Sequence, residues 1–359
     1  MLGVRRVVNA CGIYTDLGGS VLSERVWAAA GAANRVWMSM PELLDASGMR
    51  IASVCGAPAA RVVPGASAGI ALSVGASIAR GNGRVGEALP LVDAVVLMQR
   101  GHEYKYARCA GLAGARVEFV DEIEAALARG GACAVLHPAH LDEVAVGIDV
   151  VAPLARLARV PVVIDAAYLS YPLSALRRWS TAGDVACFSA KYFWGPNGGG
   201  FVAGSEALVA DVAALDFTEY ESGEWRTFGR AFKLDRACVV ATVAALEDWA
   251  AMDHEARLAG YASLAGQLAS RCAALDGARV SLGAFTLDER WVGDGPVNAL
   301  LLRGRDAVAL CDGLARRDPS VRAMVLDGAV MFCTEALRAE ELDEIGDAVG
   351  AIWPTLADG

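Results

Sequence analysis

Between Val95 and Ala203 the sequence alternates short, almost uniformly apolar runs with helical patterns, and this alternation constrains the fold more than any other feature. The runs are Val95–Gly101, Ala134–Pro138, Val162–Ala166, Val185–Ser189 and Gly200–Ala203, and helix-like segments at Tyr106–Ala113, Ile123–Ala128 and Val151–Leu157 lie between them. A strand with one wet face alternates apolar and polar residues, whereas a strand covered on both faces reads as a continuous apolar run. Such runs linked through helices predict an α/β domain with a mostly parallel central sheet flanked by helices. Ligands in sheets of this kind bind beyond the carboxyl ends of the strands. The residues that close each run are therefore the candidates for chemistry.

On either side the pattern changes. Ser67–Arg80 reads as a helix rich in small residues after the turn Pro64-Gly65, and Arg230–Met252 reads as one long helix. Beyond it, two strand-like runs, Val297–Leu302 and Ala329–Cys333, precede a final helix over Ala339–Ile352, capped by Thr334 or starting near Arg338. The expected organisation is a large domain over residues 1–250, including its N-terminal segment, and a smaller C-terminal α+β domain over 251–359. A chain of 359 residues with 55% hydrophobic and 21% charged residues can bury a core of that size.

The formal net charge of −10 repels nucleic-acid phosphates. The densest basic stretch, Arg226 to Arg236, is short and interleaved with apolar residues, so no nucleic-acid partner is expected. Nine cysteines are scattered without a CxxC, which suits free thiols in a reducing compartment better than disulfides or zinc. The N-terminus lacks the apolar core of a signal peptide, and no stretch approaches the ~20 apolar residues of a membrane span. A cytoplasmic protein with no membrane partner is expected.

Two strand ends carry the chemistry. Phe188-Ser-Ala-Lys191 puts a lysine at the close of an apolar run, followed by a glycine-rich loop through Gly200. Burying an ammonium is costly, so such a site favours the neutral amine, the form that condenses with an aldehyde. A surface lysine before a loop explains Lys191 taken alone. Val162-Val-Ile-Asp165 ends a second run on a carboxylate, which can pair with the protonated pyridine nitrogen of pyridoxal phosphate; a helix cap or metal ligand is the plainer alternative. The two lie 26 residues apart, the length of one strand–helix–strand step, so neighbouring strands can carry both.

Other segments fit around this pair. Pro64-Gly-Ala66-Ser67-Ala-Gly69 opens a helix with small residues, leaving N–H groups and a positive dipole end for a phosphate. Ser189 adds a hydroxyl two residues before the lysine. His102 follows the Val95 run and can stack on a pyridine ring, and His137, in Leu136-His-Pro-Ala-His140, can line the pocket. No acidic or cysteine partner accompanies His137 and His140, so no metal is expected.

Phosphate cup, stacking histidine, ring-nitrogen aspartate and amine-bearing lysine, in this order, resemble fold-type-I pyridoxal-phosphate enzymes. More narrowly, the chain is similar to the selenocysteine synthase-like family, in the branch that includes D-glucosaminate-6-phosphate ammonia-lyase. The resemblance rests on Val8-Asn-Ala-Cys-Gly-Ile-Tyr-Thr-Asp-Leu-Gly-Gly-Ser20, Met40-Pro-Glu-Leu-Leu44, Gly48-Met-Arg-Ile-Ala52, Gly65–Gly69, Gly101-His102, Ile164-Asp165, Ser189-Ala-Lys191 with Gly195-Pro196, and Gly229-Arg230-Ala-Phe-Lys233. It implies a cofactor held as a Schiff base on Lys191, ring pairing by Asp165, stacking by His102, and phosphate binding by Ala66, Ser67 and Ser189. It also implies a homodimer or larger oligomer in which Arg230 and Lys233 approach a neighbour's active site. Tyr14, Thr15, His137, Tyr168, Arg230 and Lys233 are the candidate substrate contacts. Two departures stand out: Lys233 is followed by Leu-Asp-Arg rather than the family's Glu, and the chain begins near the Val8 motif with no tRNA-binding extension, which argues against tRNA-dependent selenium transfer.

The expected activity is therefore that of a lyase working at Cα of an amino acid or amino-sugar acid, by α,β-elimination with ammonia release. Racemisation or epimerisation and transamination are the alternatives, and a non-catalytic binding protein is disfavoured by the presence of both Lys191 and Asp165.

Overall fold

The structure, a computed structural model, describes residues 2–219 and 227–358; Arg226, at the start of the basic stretch, lies outside them. The chain forms two compact units, Val21–Ala251 and a second made of Met1–Ser20 with Met252–Gly359.

Among the described residues the larger unit holds a seven-stranded sheet. Its strands are β1 (Ala59–Val63), β2 (Val95–Gln99), β3 (Arg116–Val120), β4 (Ala134–Pro138), β5 (Val162–Asp165), β6 (Val185–Ser189) and β7 (Gly200–Gly204). They are arranged β1-β7-β6-β5-β4-β2-β3, and every neighbouring pair is parallel except those made by β7. Apolar clusters cover both faces. Helices α1 (Glu24–Ala33), α2 (Met40–Cys55), α3 (Ala66–Ala79) and α4 (Arg236–Ala251) belong to the same unit.

Strands β1 and β3 escape the apolar-run criterion for a physical reason. Arg61 interrupts β1, and β3 is an edge strand whose Arg116 and Glu118 form an ion pair at the surface. Arg61 is buried. Its guanidinium donates to the Asp216 carboxylate at 3.0 and 2.5 Å and to Asp45 at 2.6 Å, and Asp216 also accepts from the Thr218 amide and hydroxyl. The buried charge is thus fully paired.

The expected helix Arg230–Met252 is shorter than its pattern. A four-residue turn, Thr227–Arg230, ends before it, and α4 starts only at Arg236. The Asp235 carboxylate accepts the Cys238 amide, a capping bond that starts a new helix rather than continuing an old one. Tyr106–Ala113 is a 3-10 helix over Lys105–Ala113.

In the second unit, Trp291–Val292, Arg279–Phe285, Ala299–Arg303, Ala329–Cys333 and Met324–Leu326 form an antiparallel sheet in that order, with helices His254–Ala273, Ala307–Arg316 and Glu341–Ile352. Residues 1–20, expected with the large domain, fold here instead, because Val7–Asn9 pairs in parallel with Ser320–Arg322 and places Val8 in this unit's core. Thr334 does not cap the final helix; its hydroxyl donates to the carbonyls of Tyr261 and Asn298.

Replacing Arg61 by Met should leave Asp216 buried without its counter-charge and lower stability by about 3–5 kcal/mol. Urea denaturation of the two proteins at neutral pH measures the difference.

Candidate functional site

The functional candidates of the larger unit gather where the sheet's registers end. Pro138 lies opposite Asp165, and Asp165 opposite Cys187, so the carboxyl ends of β4 and β5 are level and β6 runs two residues further, to Ser189. Ser189 and Val63 both face Gly200. The chain leaving β5 passes through the helix Leu173–Ala182 to reach β6, so Asp165 and Lys191 follow adjacent parallel strands.

Asp165 is buried, at 5% exposure. Its Oδ1 accepts the Ala167 amide at 3.0 Å and its Oδ2 accepts the Tyr104 hydroxyl at 2.6 Å. Burial raises the acid's pKa, and the bonds from Tyr104 and Ala167 oppose that rise. The Tyr104 phenol is pushed upward in turn, by burial and by the Asp165 charge. Each carboxylate oxygen keeps a lone pair beyond these bonds.

Lys191 is half-buried in the 3-10 turn Ala190–Phe193, and its Nζ lies 4.9 Å from the centre of the Tyr192 ring. A file of rings joins the two polar ends. Tyr104 lies 5.4 Å from His140, His140 5.3 Å from Tyr168, and Tyr168 6.0 Å from Tyr192, centre to centre. These residues come from the ends of β2, β4, β5 and β6. Tyr168 thus sits between the two chemical groups, while burial pushes the Tyr192 phenol up to about 12.

The phosphate cup has a physical basis as well. Gly65 caps α3 at φ +85°, where a side chain would be strained, and no side chain caps the helix. The first backbone bond of α3 is donated by Gly69, to Gly65 at 3.0 Å, so the amides of Ala66, Ser67 and Ala68 have no partner within the helix. A Cβ on Gly200 would stand 2.6 Å from Gly65 Cα and 2.5 Å from the Phe188 carbonyl, so β7 supports the turn by direct backbone contact. Ser189 is buried beside this point, and the Ser67 hydroxyl pairs with the Cys109 thiol.

Other candidates are placed differently. His102 is fully buried, its ring edge-on to His137 at 4.8 Å and its Nδ1 3.4 Å from Gln99. It offers no open face to a ligand; half-buried Tyr104 is the aromatic ring at Asp165. His137 is likewise closed off, with Nε2 2.8 Å from Asp142. Both histidines serve the core beneath the site rather than its surface. Gln99 explains part of this, since its amide pairs with both backbone groups of Val146 and ties the loop after β4 to β2. Arg230 is half-buried and Lys233 exposed in the segment around the start of α4. Tyr14 and Thr15 belong to the other unit, where the Tyr14 hydroxyl donates to Glu289. Tyr104 is the residue that sequence patterning missed. Its signal is weak, an aromatic in a polar stretch two residues past a histidine.

Aldehyde, pyridine nitrogen and phosphate are the three ends of pyridoxal phosphate, and an amine, a buried carboxylate and an uncapped helix start are the groups that can hold them. The set fits that cofactor. Among the described residues no cluster of three or more His, Cys, Asp or Glu can hold a metal ion, and no helix is long and apolar enough to cross a membrane.

No family model matches the chain. A 5'-C-glycyluridine monooxygenase-decarboxylase from a Streptomyces species is 30% identical over 292 residues, covering 75% of this chain and 69% of that protein. The chain belongs to that enzyme's family. Pyridoxal phosphate is the cofactor expected of the chain. D-glucosaminate-6-phosphate ammonia lyase of Salmonella typhimurium is 27% identical over 267 residues, with 69% of each chain covered. A solved structure of D-glucosaminate-6-phosphate ammonia-lyase superposes with a TM-score of 0.85 at 23% identity, covering 99% of this chain and 98% of that one. A cysteine desulfurase from Escherichia coli matches at a TM-score of 0.56 and 15% identity, covering 99% of this chain and 96% of that one. The expected type I fold is thereby shown.

Burial holds the His137 imidazole neutral, lowering its pKa from 6.5 to about 4; the nearby His102 adds to this and Asp142 opposes it. The unfolded chain therefore binds the proton first as pH falls. The stabilisation this neutral histidine confers is complete above pH 6.5 and is lost between pH 6.5 and 4, by about 3 kcal/mol. In His137→Asn the stability difference between pH 7 and pH 4, measured by urea denaturation, should shrink by about that amount.

Proposed function

We propose that the protein is a pyridoxal-phosphate-dependent lyase that acts at Cα of an amino acid or amino-sugar acid and releases ammonia by α,β-elimination. One observation carries the proposal: Asp165 and Lys191 follow adjacent parallel strands, in a chain related to an ammonia lyase. When bound, pyridoxal phosphate draws electrons away from Cα of the substrate amine and so acidifies its Cα–H.

The chain's own residues select the reaction from that point. Lys191 would hold the cofactor through its amine, and that amine would take the proton from Cα of the substrate. Asp165 holds a negative charge at the ring nitrogen. The amides of Ala66 and Ser67, with the Ser189 hydroxyl, take the phosphate at the positive end of α3. Tyr168 would donate a proton to a departing β-substituent; its ring lies between those of His140 and Tyr192 in the file, which supports this reading. Arg230 suits a substrate carboxylate, which a guanidinium binds through two parallel bonds. Lys233 is a further substrate contact, with Arg230 and Lys233 reaching a neighbouring subunit of a homodimer. A cytoplasmic location and membership of the selenocysteine synthase-like branch complete the proposal.

A second reading has its own support. The 30% identical relative is named as a monooxygenase-decarboxylase, so oxidative loss of a carboxyl group is the competing outcome at the same Cα.

The two are separated by incubating the purified, cofactor-loaded protein with amino acids and amino-sugar acids of both configurations. Elimination releases ammonia and a keto acid with no amino acceptor present and no oxygen uptake. Oxygen consumption with carbon dioxide release would sink the lyase proposal in favour of the second reading. Lys191→Ala should lower kcat by at least about 10²–10⁴-fold, the usual contribution of a positioned acid–base group, and should abolish the borohydride-reducible cofactor adduct.

A further inference from the structure

We infer that Tyr104 is a positioning residue whose hydroxyl holds the Asp165 carboxylate charged and correctly turned toward the cofactor's ring nitrogen. This rests on the proposed role of Asp165 and adds a residue to it.

The geometry is specific. Tyr104 leaves the turn after β2, and its hydroxyl donates to Asp165 Oδ2 at 2.6 Å while the Ala167 amide holds Oδ1 at 3.0 Å. With one donor on each oxygen, the carboxylate plane is set and one lone pair per oxygen is left for a ligand. The Tyr104 ring is itself held, 5.4 Å from His140 and 6.0 Å from Tyr106. The hydroxyl therefore cannot swing away without disturbing those contacts.

Charge is the second half of the argument. Asp165 ends a fully buried strand, and an acid in that position is driven toward its neutral form. A neutral acid would share its proton with the ring nitrogen the wrong way round, leaving the pyridine uncharged and a weaker electron acceptor. Among the described residues, titratable groups that interact with Asp165 include Tyr104, His140, Cys109, Cys187 and Tyr192. The two cysteines and Tyr192 feel the carboxylate's charge without bonding to it. The Tyr104 hydroxyl donates a hydrogen bond to the anion, and His140 lies beside the Tyr104 ring. A donor to a carboxylate makes it a weaker base, so the shared proton stays on the ring.

The test uses the full-length protein and pyridoxal phosphate labelled with 15N in the ring. In the wild type the 15N resonance should lie at the protonated position across neutral pH. In Tyr104→Phe, which keeps the ring packing, it should move toward the unprotonated position, and the cofactor should bind about tenfold more weakly, the scale of one lost bond to a charged group. Tyr104→His, which retains a ring and an N–H donor, should recover part of both effects. In the Asp165→Asn background, Tyr104→Phe should have no further effect on affinity. An unmoved 15N resonance in Tyr104→Phe, or an undiminished loss of affinity in the Asp165→Asn background, would overturn the inference. If Asp165→Asn by itself leaves the wild-type resonance and affinity intact, the proposed role of Asp165 fails instead, and the inference falls with it.

Discussion

The arrangement depends on the cost of burying one carboxylate. Asp165 closes a strand with no solvent on either face, and a charge there is tolerable only if donors converge on it. The Ala167 amide and the Tyr104 hydroxyl supply two. A cationic ring nitrogen would supply a third. The site is therefore built to want a positive partner, and a file of rings runs from Tyr104 beside that charge to Tyr192 beside the lysine.

The sheet order produces this arrangement. Parallel strands deliver their carboxyl ends to one edge, so Gln99, Pro138, Asp165 and Ser189 end within a few residues of one another along the sheet although they are far apart in the chain. The reversed strand β7 then brings Gly200 back between Ser189 and the Gly65 turn. Each chemical group is thus attached to a stiff element and not to a free loop, as positioning to a fraction of an ångström requires.

Most of this order is legible in the sequence because full burial leaves a strong mark. The apolar runs at 95, 134, 162, 185 and 200 are strands, and each ends on a polar residue or a turn. Where burial is incomplete or a charge is neutralised inside, the mark fades. Arg61 hides β1, although its partner Asp216 makes the position acceptable, and the half-wet β3 shows no apolar run. The histidines illustrate a different limit. A sequence shows that His102 and His137 follow strands but not whether their rings face a cavity or each other; both are closed into the core, and Tyr104 takes the place beside the carboxylate. Long-range pairing is likewise invisible to local patterns, which is why residues 1–20 look like part of the large domain while their strand belongs to the other unit.

The close contact between Gly200 and Gly65 has a consequence for how this fold can vary. Lys191 and Gly200 sit on the two arms of one short hairpin, closed by the bonds Ala190 N–H to Gly199 and Gly195 N–H to Ala190 at 3.0 and 2.9 Å. One arm carries the amine and the other buttresses the phosphate turn, so the hairpin acts as a ruler between them. Adding or deleting a residue within it would change the distance that a fixed-length cofactor must bridge. New substrate specificity can be explored cheaply in the loops after β2, β4 and β5, whereas this hairpin has to keep its length.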